Sequence, residues 1–239
     1  MTNPLCRIAD ELSRRLRRFR FGPPVTHVYH PLVYARDAHH EYLRRFGRSP
    51  REVVFVGMNP GPWGMAQTGV PFGEVNAVRD WLAIRAEIRK PAREHPQRPI
   101  LGWACPRSEV SGLRLWGWAR ERFKTPQHFF QRFLIVNYCP LLFLEASGRN
   151  RTPNKLPSEE KTPLLALCDE ALRQTTRYLT PRFVVGVGAF AESRAKIALS
   201  GMPVIIGRIL HPSPASPRAN RNWADAITKQ LRELGIHVP

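Results

Sequence analysis

Val53-Val54-Phe55-Val56-Gly57-Met58-Asn59-Pro60-Gly61-Pro62-Trp63-Gly64-Met65 is the stretch on which the reading of this chain turns. A β-branched apolar run stops abruptly in a loop of Gly, Pro and one Asn. A short unbroken apolar run bounded by turn residues is the pattern of a strand buried on both faces, as in a parallel sheet. In open α/β sheets ligands bind outside the carboxyl ends of the strands, so a site is expected where the loop opens after Gly57. The polar residue there, Asn59, is uncharged. Its amide donates and accepts hydrogen bonds but is neither acid nor base.

Working outward, three further apolar runs read as strands, at 133–137, 183–188 and 204–210. Helical spacing predicts helices over 74–88, 164–179, 190–198 and 223–234. Strands alternating with helices imply an α/β fold, a central parallel four-stranded sheet between helical layers. Residues 91–111, rich in Pro, Arg and Gly, read as a long surface excursion, and residues 148–163 read as a loop. No repeat or domain boundary is evident, so a single domain over 1–239 is expected. Ile8, Leu12, Leu16 and Phe19 share one helical face, which predicts a basic amphipathic helix over about 5–20.

Lys plus Arg number 37 against 19 Asp plus Glu, a net charge of +18 carried mainly by Arg. Such an excess favours a polyanionic partner, with nucleic acid the commonest. No apolar run approaches the ~20 residues of a membrane span, and no secretory segment follows the start. No membrane partner is therefore expected. Cys6, Cys105, Cys139 and Cys168 are scattered with no C-x-x-C pair, a spacing of reduced thiols and not of a metal or disulfide framework.

Three of the strand candidates end in polar, loop-like sequence: Gly57-Met58-Asn59, Asn137-Tyr138-Cys139-Pro140 and His211-Pro212-Ser213-Pro214. In a parallel sheet these ends lie along one edge, so Asn59, Asn137 and His211 are candidates for a shared cleft. Singly, each has a plainer reading, since Asn favours turns and a His before Pro is often structural. Together they suit a reaction in which a bond breaks first and water adds later. One amide reads the edge of a base, another holds a water, and the imidazole donates to a developing anion. Cleavage of an N-glycosidic bond fits that description. Phe72, between Pro71 and Gly73, could stack on a base or serve as an ordinary core residue. The proline-rich tail Pro214-Ala215-Ser216-Pro217-Arg218 could grip phosphates or enter a duplex, or could be a solvated loop.

The run from Gly57 to Gly73, Met58-Asn59-Pro60-Gly61-Pro62-Trp63-Gly64-Met65-Ala66-Gln67-Thr68-Gly69-Val70-Pro71-Phe72 included, resembles the first motif of the single-strand-selective monofunctional uracil-DNA glycosylases. Asn137-Tyr138-Cys139-Pro140-Leu141-Leu142-Phe143-Leu144 with Ser147-Gly148-Arg149-Asn150 is similar to their central segment, and His211-Pro212-Ser213-Pro214 to their last motif. Ser108-Glu109-Val110-Ser111-Gly112 and Val184-Val185-Gly186-Val187-Gly188 also match, and the resemblance covers roughly residues 25–236. It implies the superfamily's three-layer α/β/α fold. It also implies removal of uracil and oxidised 5-substituted uracils from single- and double-stranded DNA without strand cleavage, by a monomer without cofactor or metal. The expected place of work is the cytoplasm or nucleoid of a bacterium, or a eukaryotic nucleus.

By the same resemblance Asn59 holds the hydrolytic water, Asn137 reads the uracil edge and His211 steadies the leaving anion. Phe72 stacks on the base, and main-chain groups at Met58 and Gly61 form the pocket wall. Other uracil-DNA glycosylases carry a Tyr at the position of Gly61 that blocks the pyrimidine 5-position, so open space beside C5 is expected here. Family members often place Arg directly after His-Pro-Ser-Pro, where this chain has Ala215. The family uses that segment, here Pro214, Ala215, Ser216, Pro217 and Arg218, as a wedge on DNA. The small residue predicts weaker capture of duplexes, or a takeover by Arg218. A glycosylase of the same superfamily acting on hypoxanthine or xanthine, and a non-enzymatic single-strand or damage-binding module, remain open alternatives.

Overall fold

The computed structural model describes residues 3–239. In chain order the strands are β1 (Val25–Tyr29), β2 (Val53–Gly57), β3 (Phe133–Asn137), β4 (Leu142–Glu145), β5 (Asn150–Arg151), β6 (Phe183–Val187) and β7 (Ile205–Ile209). The helices are α1 (Pro4–Leu16), α2 (Pro31–Tyr34), α3 (Arg36–Phe46), α4 (Met65–Thr68), α5 (Val110–Phe123), α6 (Pro126–Arg132), α7 (Ser158–Leu179), α8 (Ala189–Ala198) and α9 (Pro217–Glu233).

All four apolar runs are strands of one parallel sheet, in the order β3-β2-β6-β7. β2 and β6, buried along their whole length, form its centre, which is why their sequences are apolar without alternation. α7 packs against both α1 and α8, and α5 against both α6 and α9, and the two groups flank the sheet in an α/β/α arrangement. Gly57 pairs with Asn137 and Val187 with Ile209, so the carboxyl ends of the strands are level. That register sets the next few residues of each strand side by side. No helix among the described residues is long and apolar enough to cross a membrane.

α1 starts at Pro4, where Asn3 caps the Leu5 N–H, and ends at Leu16, short of the expected Phe19. α8 and α9 confirm the expected helices, but their details differ. The buried face of α8 is Ala191, Ala195 and Ala198, and Ile197 is exposed. Small residues are needed there because α8 lies against the sheet: a Cβ on Gly186 would stand 2.2 Å from the Glu192 nitrogen. α9 begins at Pro217, earlier than expected, and is kinked at Asn222 (φ −157°, ψ 82°).

Three expectations are overturned. Residues 74–88 do not form a helix beyond one wide turn, Ala77–Trp81. Past it Leu82 and Ile84 are buried while Ala83, Arg85 and Glu87 are exposed. That period-two alternation is the signature of extended chain, and it outweighed the helical match of Val75, Val78 and Leu82. Residues 91–111 are tied down, not simply a surface excursion: His95 and Ile100 are buried, and Gln67 accepts from the Leu101 and Gly102 N–H groups and donates to Pro99 O. Residues 148–163 hold β5 and the first turns of α7, with Pro163 inside that helix. A second sheet, β1-β4-β5, is antiparallel and was not foreseen, because its strands are too short and irregular to show alternation.

Candidate active site

The β2–β3 ladder continues past both strands, with Tyr138 N–H donating to Gly57 O (2.8 Å) and Cys139 N–H to Met58 O (2.9 Å). These bonds hold the loop of Asn59 against the segment that follows Asn137. Gly57 has to be glycine, because a Cβ would stand 2.4 Å from Asn137 Oδ1 and 2.6 Å from the Phe72 ring. On the other side, Gly188 N–H donates to Ile209 O (2.9 Å). Gly188 adopts φ 93°, and a Cβ there would meet His211 Cβ at 3.3 Å. Asn59, Asn137, His211, Phe72, Met58 and Gly61 therefore all line one cavity of about 420 Å³.

The hydrogen-bond partners settle which way each polar group faces. Asn59 Nδ2 donates to Leu141 O (3.3 Å) and Pro60 O (3.4 Å). Carbonyls only accept, so the amide nitrogen faces them and Oδ1 remains as an acceptor. His211 Nδ1 accepts from the Ser213 N–H at 3.1 Å. A backbone N–H only donates, so Nδ1 is unprotonated and the ring proton is on Nε2. Burial lowers the pKa of His211 below its usual 6.5, which keeps the ring neutral. Asn137 Nδ2 has the Met65 sulfur as its partner (3.1 Å). Sulfur is a weak acceptor, so a better one on a ligand displaces it at little cost.

Phe72 carries φ 52°, a left-handed backbone that a bulky residue adopts only under constraint. The constraint is visible: Trp116 Nε1 donates to Phe72 O (2.9 Å), and Gly73 has Thr68 Oγ1 where a Cβ would be (2.0 Å). The Phe72 ring lies 6.2 Å from the His211 ring, tilted by 45°, and is mostly buried. Behind the site Tyr138 donates to Asp169 (2.6 Å), which also pairs with Arg194. This network fixes the chain directly after Asn137.

The cavity has further walls that the sequence reading did not assign a role: Glu109, Ser111, Asn150 and Thr152. Asn150 donates to Pro60 O (3.5 Å), and its Oδ1 is buried without a partner. Glu109 fills the space expected to be open beside Gly61: a Cβ on Gly61 would stand 1.8 Å from Glu109 Oε1. Burial first, and the neighbouring Glu74 carboxylate second, push Glu109 up to about 7. The segment Ser108 to Gly112 matched the family in sequence, but nothing in it showed that Glu109 would reach Gly61.

Of the tail, Ser213 lines the cavity and Pro214, Ala215 and Arg218 are exposed beyond it. Pro217 and Arg218 belong to the first turn of α9 and not to a loop. Asn220 donates to Pro214 O (2.8 Å) and Arg114 to Pro212 O (3.0 Å), which pins the turn. Arg107 and Arg149 are exposed close in sequence to Glu109 and Asn150. The Arg98 and Arg107 guanidinium groups stack on Trp63 at 5.3 and 4.6 Å, so positive charge collects on the loop of Asn59. All four cysteines are free and buried. Among the described residues no group of three or more His, Cys, Asp or Glu is placed to hold a metal ion.

The model of the Uracil DNA glycosylase superfamily matches residues 45–234. The single-strand selective monofunctional uracil-DNA glycosylase of Rattus norvegicus is 51% identical over 227 residues, 94% of this chain and 82% of its own. Those of Mus musculus and Bos taurus are 50% and 49% identical, over 81% and 84% of their lengths and 94% of this chain. Among solved structures, wild-type SMUG2 of Pedobacter heparinus shares the fold, with a TM-score of 0.65 over 95% of this chain and 98% of its own at 16% identity. The chain belongs to the uracil DNA glycosylase superfamily and, within it, to the single-strand selective monofunctional uracil-DNA glycosylases.

Proposed function

We propose that this chain is a uracil-DNA glycosylase that releases uracil and oxidised 5-substituted uracils from single- and double-stranded DNA and leaves the strand uncut. One observation carries the reading. The Ser213 N–H occupies His211 Nδ1, so a neutral imidazole presents Nε2–H to the cavity. A fixed donor of that kind stabilises charge that develops as a bond breaks.

Phosphates dock on exposed arginines such as Arg107, Arg149 and Arg218. Turning the target nucleotide out of its stack costs a few kcal/mol, least in single strands. Phe72 stacks on the extruded base. Asn137 pairs with its N3–O4 edge, Nδ2 donating to O4 and Oδ1 accepting from N3–H. The bond from C1′ to N1 breaks with its electron pair passing to the base, and His211 Nε2–H donates to O2 of the departing anion. A water whose proton is held by Asn59 Oδ1 adds to C1′, and its released proton neutralises the uracil anion. Among the described residues no Lys lines the cavity, which leaves a Schiff base and strand cleavage without a lysine amine there. The relatives' description as monofunctional and single-strand selective agrees with this reading. The segment Pro214 to Arg218, with Pro214, Ala215, Pro217 and Arg218 exposed, would fill the gap in a duplex.

A panel of oligonucleotides carrying uracil, 5-hydroxymethyluracil, 5-formyluracil, hypoxanthine or xanthine tests this, single- and double-stranded. Strand scission only after hot alkali, and for the uracils, is the expected result. Scission confined to the deaminated purines would replace the reading, and binding without base release would reduce it to a damage-binding module.

A further inference from the structure

Arginines also gather at the opposite end of the sheet. Arg48 to Arg51 lead into β2, and Gln127 to Gln131 of α6 lead into β3. The groove they line therefore lies at the amino ends of the strands, away from the cavity of Asn59. A five-residue strand spans about 16 Å, and that length of β2 lies between the two. The groove is open and has a volume of about 650 Å³. Phe46 and Phe130, both buried and stacked at 4.0 Å and 15°, form its apolar part. Its polar part is Arg45, Arg48, Arg51, Gln127 and Gln131, and no carboxylate is among the described residues that line it.

The three arginines are not equivalent. Arg45 has a counter-charge in Glu41 (3.2 Å) and also donates to Ala83 O (2.7 Å). Arg51 donates to Pro50 O (2.7 Å) and Phe46 O (2.8 Å), which hold its guanidinium in place without neutralising it. Its Nε is buried without a partner. Burial lowers the pKa of Arg51 from its ordinary 12.5, and Arg48, of the same sign, lowers it further. Glu52, the next residue, is taken by Arg132. Arg48 is exposed. A partly buried cation with no counter-charge is costly, so the charge that balances Arg51 has to come from outside the chain. We propose that this groove is a second nucleic-acid site, in which Arg48 and Arg51 hold phosphates of a strand segment separate from the one whose base enters the cavity.

The chemistry of the lining selects that occupant. A guanidinium presents a planar fork that matches a phosphate, and the exposed amides of Gln127 and Gln131 add donors for phosphate and sugar oxygens. A free anion in an open groove gains one or two contacts and keeps most of its water. A strand brings phosphates in series, so each contact raises the local concentration of the next. The net charge of +18 draws polyanions to the whole surface, and the groove gives one place on it fixed donors. The inference goes beyond the uracil reading, since it needs a nucleic-acid partner but no residue of the cavity. A strand bound there keeps the protein on nucleic acid while the cavity is empty.

The test is the affinity of the full chain for a uracil-free single-stranded oligothymidylate, by fluorescence anisotropy over a range of salt. Arg48→Glu, Gln131→Glu and Arg15→Glu are compared with wild type. All three positions are exposed, so the fold is kept, and Arg15 on α1 serves as a control with the same change of charge as Arg48→Glu. Arg48→Glu should weaken binding by about fivefold and flatten the slope of log K against log salt by about 0.7, the share of one phosphate contact on a single strand. Gln131→Glu should weaken it in the same direction, and Arg15→Glu by less than about twofold. Equal losses in Arg48→Glu and Arg15→Glu overturn the proposal, because diffuse charge then accounts for the binding. Titration with inorganic phosphate separates the source. Phosphate binding that Arg48→Glu abolishes, with oligothymidylate affinity unchanged, makes the groove a free-anion site and also overturns the proposal. The saturating single-turnover rate of Arg48→Glu on uracil should stay within about twofold of wild type, and a fall of about tenfold or more contradicts a separate site.

Discussion

Replacing His211 by Ala removes one donor oriented by its neighbour. Its Nε2–H is committed to the cavity because Nδ1 already accepts from the Ser213 N–H. Loss of one preorganised donor to a developing oxyanion costs ~3–4 kcal/mol, so the single-turnover rate on uracil in a single strand should fall by about two to three orders of magnitude. DNA affinity should change little, because the interaction grows only as the base departs with its charge. The pH profile supplies a second reading of the same group. Burial holds the folded pKa of His211 below its usual 6.5, so the neutral donor persists at and above that value. The unfolded chain takes up the proton first as pH falls, so the stability contributed by the neutral ring is present above 6.5 and is lost as pH drops through the folded pKa. Protonation also sets an Nδ1–H against the Ser213 N–H and turns the ring from its place. The wild-type rate should therefore fall on the acid side, and that fall should be missing in His211→Ala. A near-normal rate in His211→Ala, measured by quenched-flow excision, would refute the assignment of the donor.

Other consequences are as direct. Gly61→Ala sets a Cβ 1.8 Å from Glu109 Oε1, so the flexible Glu109 side chain has to swing away; the cost in urea unfolding should stay at or below about 1 kcal/mol, the low end of overpacking, and adding Glu109→Ala should recover most of it. Additive losses in that double mutant would show that the two residues do not meet. The folded pKa of Glu109, about 7 against 4.5, means that the native state keeps a proton the unfolded chain has released. Stability on this account is complete below 4.5 and declines as pH rises through about 7. Glu109→Gln should accordingly be the more stable protein at about pH 8, and equal midpoints there would contradict the burial argument. Asn137→Asp should lose its preference for uracil over cytosine in a competition assay, since an ionised carboxylate cannot donate to O4; an unaltered preference would move base reading elsewhere.

The parts of the fold that could be read from sequence are those in which one physical demand dominates. β2, β3, β6 and β7 are covered on both faces, so their apolar runs needed no second signal. Asn59, Asn137 and His211 followed from the strand ends, because a level register carries all three to one edge. Residues 82–88 misled because Val75, Val78 and Leu82 mimic a helical stripe while the burial of Leu82 and Ile84 obeys a period of two. β1 and β4 pair across more than a hundred residues, and nothing local announces such a partnership. The segment of Glu109 matched the family's sequence, but its place beside Gly61 and Gly64 was not legible, because an empty position in one segment does not say which distant residue fills it.

The central claim is that this cavity breaks the bond between uracil and its sugar by means of Asn59 and His211. Its most direct test is the release of free uracil from a single-stranded oligonucleotide under enzyme excess, followed by chromatography, for wild type and for the Asn59→Ala/His211→Ala double variant. The account predicts stoichiometric free uracil and an intact, alkali-labile strand from wild type, and no release above background from the folded double variant. Uracil release by the double variant at the wild-type rate would place the chemistry elsewhere in the molecule.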